Sequence, residues 1–480
     1  MLQTKLMPPG TQGISSRHII QMIKRLEKHQ IPMHSILLMR HDQLVYEGYY
    51  KPYDANRRHR MFSISKSVTS LCIGHLMTKG ILCLDDPIVK YFPEKCPEHV
   101  HPWIEAMTIR NMLEMRSCHS ATTYKIDLKG DWVGSFFTAT PDHPAGTVFH
   151  YDTSSPHVLC ALVEKLTGKP LFTYFREDVV PELALSKDAF MVTDPQGVSM
   201  GGSGLCCTSM DMLKLGYFLL NMGNLDGRQV IDKAFMQNAT GNLNPTLVKA
   251  PLPSESKGYG YQIWQHERGG CVCYGMGGQL VIVLPKEQLV CVTTADTQGY
   301  GGGNQVIYDA FYEEVLDHLS DEPITGDDED AAYEELSALT DTLSLPVLSG
   351  VSNEEAAKAV SGKSYKLLPN SQGFAVAGIT FGDGEGVLTL EGSKATFQIP
   401  FGLGQLKEGH LSVCEQFYVA SGAWLNSEVF YIKCHICDTC VGSVHIQLHF
   451  KDNQITIYDR IVEENLSKAF PTGHFIGYLD

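Results

Sequence analysis

A run of acidic residues divides the chain into two parts with different sequence patterns. Residues 321–335 contain eight Asp or Glu and no Lys or Arg. A single hydrophobic core stops growing at about 250–300 residues, so a chain of 480 residues is expected to hold at least two domains. We predict a first domain over 1–320, an acidic linker or helix over 321–345 with a solvated face, and a separate β-rich domain over 346–480.

The part before the acidic run predicts helices at both ends, strands inside them, and a helical segment between two groups of strands. Apolar residues recur at helical spacing in some segments, and short apolar runs flank turn-forming residues in others. The predicted helices are 17–29, 63–77, 109–115 after a Thr108 cap, 156–166, 209–220 after a Thr208–Asp211 capping box, and 306–319. The predicted strands are 35–40, 43–50, 259–264, 279–284 and 289–294. This order favours an α+β fold with one antiparallel sheet, flanking helices and a helical subdomain.

The part after the acidic run has short alternating segments separated by Gly and Asn. Residues 386–390, 429–432 and 444–450 show this pattern. Alternation of apolar and polar residues is typical of strands with one buried face. We therefore predict that the second domain consists mainly of β-strands.

Charge and composition exclude several classes of partner. The net charge is −16, whereas nucleic acid and anionic membranes bind a concentrated positive surface. No apolar run approaches the roughly 20 residues that cross a bilayer, and the amino-terminal stretch lacks a signal-peptide core. The fourteen cysteines are scattered rather than spaced as a disulfide scaffold. We expect a cytoplasmic protein that binds neither nucleic acid nor membrane.

Ser63 and Lys66 form an S-x-x-K pattern at the start of the predicted 63–77 helix. Residues three apart on a helix share a face, so the lysine amine can reach the serine hydroxyl. A serine is a weak nucleophile until a base takes its proton, and burial can make lysine that base by lowering its pKa. A second copy of the pattern, Ser254 to Lys257, lies in a polar loop, and we interpret it as chance.

Five segments occur in a fixed order along the first part of the chain: 61–66, 107–113, 144–151, 204–211 and 275–279. Together they resemble the serine β-lactamase and penicillin-binding-protein superfamily, in particular its class C-like esterase and amide-hydrolase branch, and the resemblance covers about residues 15–320. It implies a β-lactamase/transpeptidase-like fold. It also implies that Ser63 is the nucleophile, that Lys66 is its activating base, and that Tyr151 passes a proton to the leaving group. The backbone N–H groups of Ser63 and Gln279 would form the oxyanion hole.

Two of the three family motifs are altered at positions that the resemblance assigns to substrate binding. Thr153 stands where the family has Asn, and its hydroxyl has a shorter reach. Met276 stands where the family has Lys or His, before Gly277 and Gly278. In β-lactamases that basic residue helps to bind the substrate carboxylate, so its loss favours substrates without this anion. The two glycines let the strand backbone approach a ligand.

Other motifs carry less chemistry. Residues 201–205 fail the last position of a G-x-S-x-G elbow, and there is no H-E-x-x-H sequence or P-loop. Cys434, Cys437 and Cys440 have C-x-x-C-x-x-C spacing, with His445 and His449 downstream, which is compatible with a metal site. The stretch before them has a strand pattern, so we favour thiols turned into a core. We expect no metal and no cofactor.

These observations favour a serine hydrolase that cleaves a small-molecule ester, amide or peptide through a Ser63 acyl-enzyme. Esterase, small-amide hydrolase or D-peptidase activity is expected before β-lactamase activity. Two alternatives remain open. The altered motifs are compatible with a catalytically weak or inactive penicillin-binding-protein-like binding protein, and the β-rich domain is compatible with a scaffold that binds a partner. The oligomeric state is left open.

Overall fold

The computed structural model describes residues 2–247, 252–393, 396–411, 416–462 and 472–479. The chain divides into two compact units. The first contains Met1–Tyr50, Asp54–Thr297 and Gly302–Leu343, and the second contains Lys51–Tyr53, Gln298–Gly301 and Ser344–Asp480.

The first unit is built from eleven strands and eleven helices within the described ranges. The strands are β1 (Met33–Arg40), β2 (Gln43–Tyr49), β3 (His59–Arg60), β4 (Phe190–Met191), β5 (Leu205–Cys207), β6 (Asn224–Leu225), β7 (Arg228–Gln229), β8 (Trp264–Gln265), β9 (Cys271–Gly275), β10 (Gln279–Leu284) and β11 (Leu289–Ala295). The helices are α1 (Ser16–Lys28), α2 (Ile64–Thr78), α3 (Pro102–Glu105), α4 (Ile109–Leu113), α5 (Trp132–Thr138), α6 (Ser154–Thr167), α7 (Leu171–Tyr174), α8 (Ser209–Leu220), α9 (Lys233–Ala239), α10 (Gly303–Glu314) and α11 (Asp327–Thr342).

A six-stranded antiparallel sheet in the order β2-β1-β11-β10-β9-β8 lies between two helical layers. Alternate residues of a strand point to opposite faces. Leu37 and Met39 of β1 join the core that contains α2, α6 and α8, whereas Ile36 and Leu38 join the core under α1 and α10. Both faces are therefore buried, which explains why the central strands are continuous apolar runs rather than alternating ones.

The structure supports a mixed α/β fold with helices flanking the sheet. The predicted helices lie within a few residues of α1, α2, α4, α6, α8 and α10. The caps are confirmed as well, because Thr108 begins α4 and Thr208 begins α8 in a capping box with Asp211. No helix in the described ranges is long and apolar enough to cross a membrane.

The predicted strand 259–264 is wrong over most of its length, because only Trp264 belongs to β8. Gln262 has a φ of 61°, which an extended strand does not allow. Its backbone N–H donates to the Leu113 carbonyl, and that of Tyr259 donates to the Asn244 carbonyl. The backbone of this segment thus bonds the end of α4 and the chain at Asn244 rather than a neighbouring strand.

The acidic run is helical from Asp327 onward, where it forms the first half of α11, and Asp321 and Glu322 precede that helix. Most of its carboxylates are exposed, as expected for a solvated helix face. Glu329 is the exception, because it is buried and accepts hydrogen bonds from Ser15 Oγ and the Ser16 backbone N–H, both at 2.8 Å. A carboxylate at a helix amino terminus accepts hydrogen bonds from free N–H groups and interacts favourably with the positive end of the helix dipole. Glu329 thus stabilises the start of α1.

The second unit has one helix and ten strands in its described ranges. They are α12 (Glu354–Val360), β12 (Ser364–Leu367), β13 (Phe374–Phe381), β14 (Glu385–Gly392), β15 (Thr396–Leu403), β16 (Lys407–Leu411), β17 (Gln416–Trp424), β18 (Val429–Cys437), β19 (Val441–Lys451), β20 (Gln454–Val462) and β21 (Gly473–Leu479). The sheet order is β15-β14-β13-β12-β21-β20-β19-β18-β17-β16. A parallel pairing between β15 and β17 closes the sheet around an apolar core, and the predicted strands lie within β14, β18 and β19.

The C-x-x-C-x-x-C cysteines do not converge. Cys434 and Cys437 lie three residues apart on β18 and therefore point to opposite faces of the strand. Cys434 is part of the core inside the closed sheet, whereas Cys437 packs with Tyr53, Leu345 and Val419 on the outer face. Among the described residues, no three His, Cys, Asp or Glu side chains are grouped as metal ligands.

Candidate active site

The backbone around Ser63 is fixed by contacts with β5. Ser63 lies immediately before α2, as its amino-terminal cap. The Met61 N–H donates to the Leu205 carbonyl at 2.8 Å, and Ser65 Oγ donates to the Phe62 carbonyl while accepting from the Leu205 N–H. Phe62 has a φ of 45°, a left-handed conformation that is costly for an aromatic residue. The surrounding hydrogen bonds hold this strained residue directly before the serine.

Lys66 is buried beside Ser63, with an exposed fraction of 1%. Its Nζ donates to Ser63 Oγ at 2.9 Å and to the Gly202 carbonyl at 2.7 Å. Burial lowers the pKa of the Lys66 ammonium from 10.5 to about 7, and the nearby Asp152 carboxyl opposes part of this shift. A pKa near neutrality leaves a large fraction of the amine unprotonated at pH 7, which is the form that can accept a proton.

Tyr151 completes a cluster with Ser63 and Lys66. The Lys66 Nζ lies 4.9 Å from the centroid of the Tyr151 ring. The Tyr151 ring packs against the rings of Trp264 and Tyr259, at centroid distances of 5.3 and 6.1 Å. Burial raises the pKa of the Tyr151 phenol, and a hydrogen bond with Ser63 opposes the shift. The phenol is therefore neutral at pH 7 and has a proton to donate.

Asp152 and Thr153 follow Tyr151 at the start of α6. Asp152 is buried, and its two carboxylate oxygens accept hydrogen bonds from the backbone N–H and hydroxyl of Ser155, both at 2.7 Å. Burial raises the pKa of this carboxyl. Thr153 Oγ1 lies 3.5 Å from Lys66 Nζ, so the residue that replaces the family's Asn faces the same amine.

The loop that contains Gly202 was missed as part of the site. A Cβ at Gly202 would lie 2.4 Å from Thr153 Cγ2 and 2.9 Å from the Thr153 carbonyl oxygen, so only glycine fits there. Its carbonyl can therefore reach Lys66. The Gly-Gly-Ser-Gly sequence at 201–204 is a signal for such a close approach of backbone, although it fails as a nucleophile elbow.

The Met276, Gly277 and Gly278 positions form the turn between β9 and β10. Gly277 and Gly278 have φ of 90° and 94°, which other residues rarely adopt. Met276 is 37% exposed. The Gln279 side chain is buried and bonds the Met276 carbonyl and both backbone groups of Ala295. It therefore supports the turn, leaving its backbone N–H as the group that the resemblance assigns to the oxyanion hole.

Gly275 brings this turn next to the nucleophile. It begins the family segment 275–279 but is not among the predicted site residues. A Cβ on Gly275 would lie 2.2 Å from the Met61 carbonyl oxygen, a distance that no side chain tolerates. The end of β9 thus lies against the backbone two residues before Ser63. The structure therefore groups Ser63, Lys66, Tyr151 and Thr153, and it holds the 276–279 turn beside the segment that leads into Ser63.

The fold and this cluster define a protein of the serine β-lactamase and penicillin-binding-protein class, which confirms the resemblance found in the sequence. Residues 19–310 match the profile of the Beta-lactamase family, and the chain belongs to that family. It is 22% identical over 279 residues to the 6-aminohexanoate-dimer hydrolase of Paenarthrobacter ureafaciens. The aligned region covers 54% of this chain and 71% of that protein.

Two solved structures resemble the chain in fold. EstCE1, described as a hydrolase with promiscuous acyltransferase activity, has a TM-score of 0.51 at 18% identity and covers 61% of this chain and 99% of its own. SurE with D-Leu has a TM-score of 0.51 at 14% identity and covers 91% of this chain and 95% of its own. The second likeness extends through both units.

Proposed function

We propose that the protein is a serine hydrolase that cleaves an ester or amide bond through an acyl-enzyme on Ser63. The observation that carries the proposal is the 2.9 Å contact between Ser63 Oγ and the Nζ of Lys66, whose pKa burial lowers to about 7. Membership of the Beta-lactamase family supports it. Beyond family membership, we propose roles for the individual residues.

The first half-reaction uses the three clustered groups in turn. Neutral Lys66 takes the Ser63 proton while Ser63 Oγ bonds to the substrate carbonyl carbon, and the carbonyl oxygen becomes an oxyanion held by the N–H groups of Ser63 and Gln279. The oxyanion then collapses and the bond from the carbonyl carbon to the leaving alcohol or amine breaks, as the Tyr151 phenol donates its proton to that group and is reprotonated from the Lys66 ammonium. In the second half-reaction, water attacks the acyl carbon as neutral Lys66 takes its proton. The bond from this carbon to Ser63 Oγ breaks, and Ser63 recovers the proton from the Lys66 ammonium as the acid leaves.

The substrate class follows from the turn at Met276. An exposed thioether stands where the family carries a cation, so this position offers no charge to a substrate carboxylate. Thr153 offers a hydroxyl rather than a carboxamide for substrate hydrogen bonding. We propose small esters, amides or short peptides without an anion at this position, with no metal or organic cofactor taking part.

Covalent labelling tests the proposal directly. Wild-type protein is treated with a fluorophosphonate and its intact mass is measured, with Ser63→Ala as the negative variant. Ser254→Ala, in the second S-x-x-K pattern, is the matched control. We expect one adduct on wild type and on Ser254→Ala and none on Ser63→Ala. An adduct that survives Ser63→Ala would place the nucleophile elsewhere.

A second candidate is a binding protein of the same class with little turnover, which the Thr153 and Met276 replacements favour. Hydrolysis of short acyl p-nitrophenyl esters, D-amino-acid p-nitroanilides and nitrocefin separates the two. Turnover of an ester or amide that is lost in Ser63→Ala supports the hydrolase. A stable adduct without turnover of any of the three substrates supports the binding protein.

A further inference from the structure

The outer face of three neighbouring strands in the second unit carries a row of basic side chains. The antiparallel register places Lys433 of β18 opposite His445 of β19, and His445 opposite Arg460 of β20. The residues between them along these strands, among them Ile432, Cys434 and Ile446, point into the apolar core. Lys433 and Arg460 thus flank His445, which places two cations in one row on the same face of the sheet.

Among the described residues, the two cations in this row, Lys433 and Arg460, have no acidic partner. In the described part of the chain, neither Lys433 nor Arg460 forms an ion pair, although Lys433 is only 7% exposed. The Lys433 ammonium donates to the Tyr300 hydroxyl at 2.9 Å and lies 5.3 Å from the centroid of its ring. Burial and the charges of Lys433 and Arg460 lower the pKa of His445 to about 4. The local potential is therefore positive, and buried charges normally have a partner.

A second row of side chains forms the walls of a cavity beside these cations. Tyr431 lies opposite Gln447, and Gln447 lies opposite Tyr458, one pair along the same face. Together with Tyr300, His445 and Arg460 they line a cavity of about 360 Å³. Its walls thus combine three aromatic rings with amide and hydroxyl donors.

The cavity wall is held in place by hydrogen bonds. Gln298 Nε2 donates to the Val441 carbonyl at 2.7 Å, which fixes the loop that carries Tyr300. The His445 ring nitrogens bond the Tyr431 hydroxyl at 2.6 Å and Ser443 Oγ at 2.9 Å. The tyrosine and histidine rings are thus oriented before any ligand arrives, which lowers the entropy cost of binding.

We propose that this cavity of the second unit binds a small planar organic anion. Its carboxylate or phosphate faces Arg460, the nearby Lys433 ammonium adds to the positive potential, and its planar body lies against the tyrosine rings. Guanidinium and ammonium groups form charge-assisted hydrogen bonds with such anions. The anion supplies the negative charge that the row lacks. The residues that line this cavity do not include Ser63, Lys66 or Tyr151, and the inference does not depend on the hydrolase proposal.

Isothermal titration calorimetry on the full chain tests the site with benzoate, phenyl phosphate and neutral benzamide. Arg460→Gln removes an exposed charge from the cavity. Lys451→Gln is the matched control, because it removes an exposed charge at the end of β19 that does not line the cavity. We expect benzoate or phenyl phosphate to bind, and their relative affinities identify the headgroup. Arg460→Gln should weaken binding at least about tenfold, which corresponds to one charge-assisted hydrogen bond. Lys451→Gln and Ser63→Ala should leave it unchanged.

A second variant tests the contribution of the buried Lys433 ammonium. Lys433→Met should weaken anion binding while raising the melting temperature, because it removes a buried charge that has no acidic partner among the described residues. Three results would overturn the proposal: neither anion binds wild type, benzamide binds as tightly as benzoate, or Arg460→Gln binds both anions like wild type. Loss of binding in Ser63→Ala would assign the anion to the active site instead.

Discussion

Replacement of Lys66 by Met should make the protein more stable and inactive at the same time. Burial lowers the pKa of Lys66 from 10.5 to about 7. Each pKa unit corresponds to about 1.4 kcal/mol, so holding this ammonium in the fold below pH 7 costs on the order of 5 kcal/mol. Met loses the bonds to Ser63 and Gly202, about 1 kcal/mol each, which leaves a net gain of about 3 kcal/mol.

The pH dependence gives the sign of the effect. The folded-state pKa of Lys66 lies below its unfolded-state value, so between about 7 and 10.5 the unfolded chain binds more protons than the folded one. This site therefore makes the unfolding free energy of the wild type rise with pH across that window. In Lys66→Met this contribution is absent, and the stability difference between the two proteins shrinks as pH rises.

Urea denaturation at several pH values and kcat/KM for an acyl ester measure both consequences. Wild-type kcat/KM should fall about tenfold per pH unit below about 7, as Lys66 becomes protonated. Lys79→Met, an exposed lysine at the end of α2, is the matched control and should change stability by less than about 0.5 kcal/mol. If Lys66→Met is no more stable than wild type at pH 6 and kcat/KM shows no limb near 7, Lys66 is not a buried, half-neutral amine.

Three further changes test other parts of the structure. Asp152→Asn removes a charge that raises the Lys66 pKa, so the acid limb of the kcat/KM profile should move to lower pH; a shift to higher pH would contradict the assigned geometry. Gly275→Ala places a Cβ 2.2 Å from the Met61 carbonyl oxygen and should reduce kcat/KM at least about 100-fold, whereas Gly301→Ala meets open space and should not. Burial raises the pKa of Asp459 from 3.8 to about 8, and among the described residues neither of its carboxylate oxygens has a hydrogen-bond partner. The folded state therefore binds the extra proton in this window, so unfolding free energy falls by about 1.4 kcal/mol per pH unit between these values, and Asp459→Val should abolish that slope in pH-dependent calorimetry.

Much of the local structure was predictable because it depends on short spacings. The caps at Thr108 and Thr208 and the S-x-x-K pair depend on residues three positions apart. Strands β10 and β11 were predicted from their apolar runs, and the hairpin between them from its turn residues. Segments such as 259–264 failed because the same alternation also occurs where backbone groups bond irregular chain instead of a neighbouring strand.

The sequence by itself determined the family, the candidate nucleophile and base, and the β-rich character of the second part. Each of these depends on residues that are close together in the chain or on motifs that occur in a fixed order. Only the tertiary structure decided that Gly202 and Gly275 belong to the site, since their role is to let distant backbone segments approach Lys66 and Met61. The basic row on β18, β19 and β20 likewise depends on the strand register, which determines the residues that lie opposite each other on neighbouring strands. Contacts of this kind join residues far apart in the chain, and no local spacing records them.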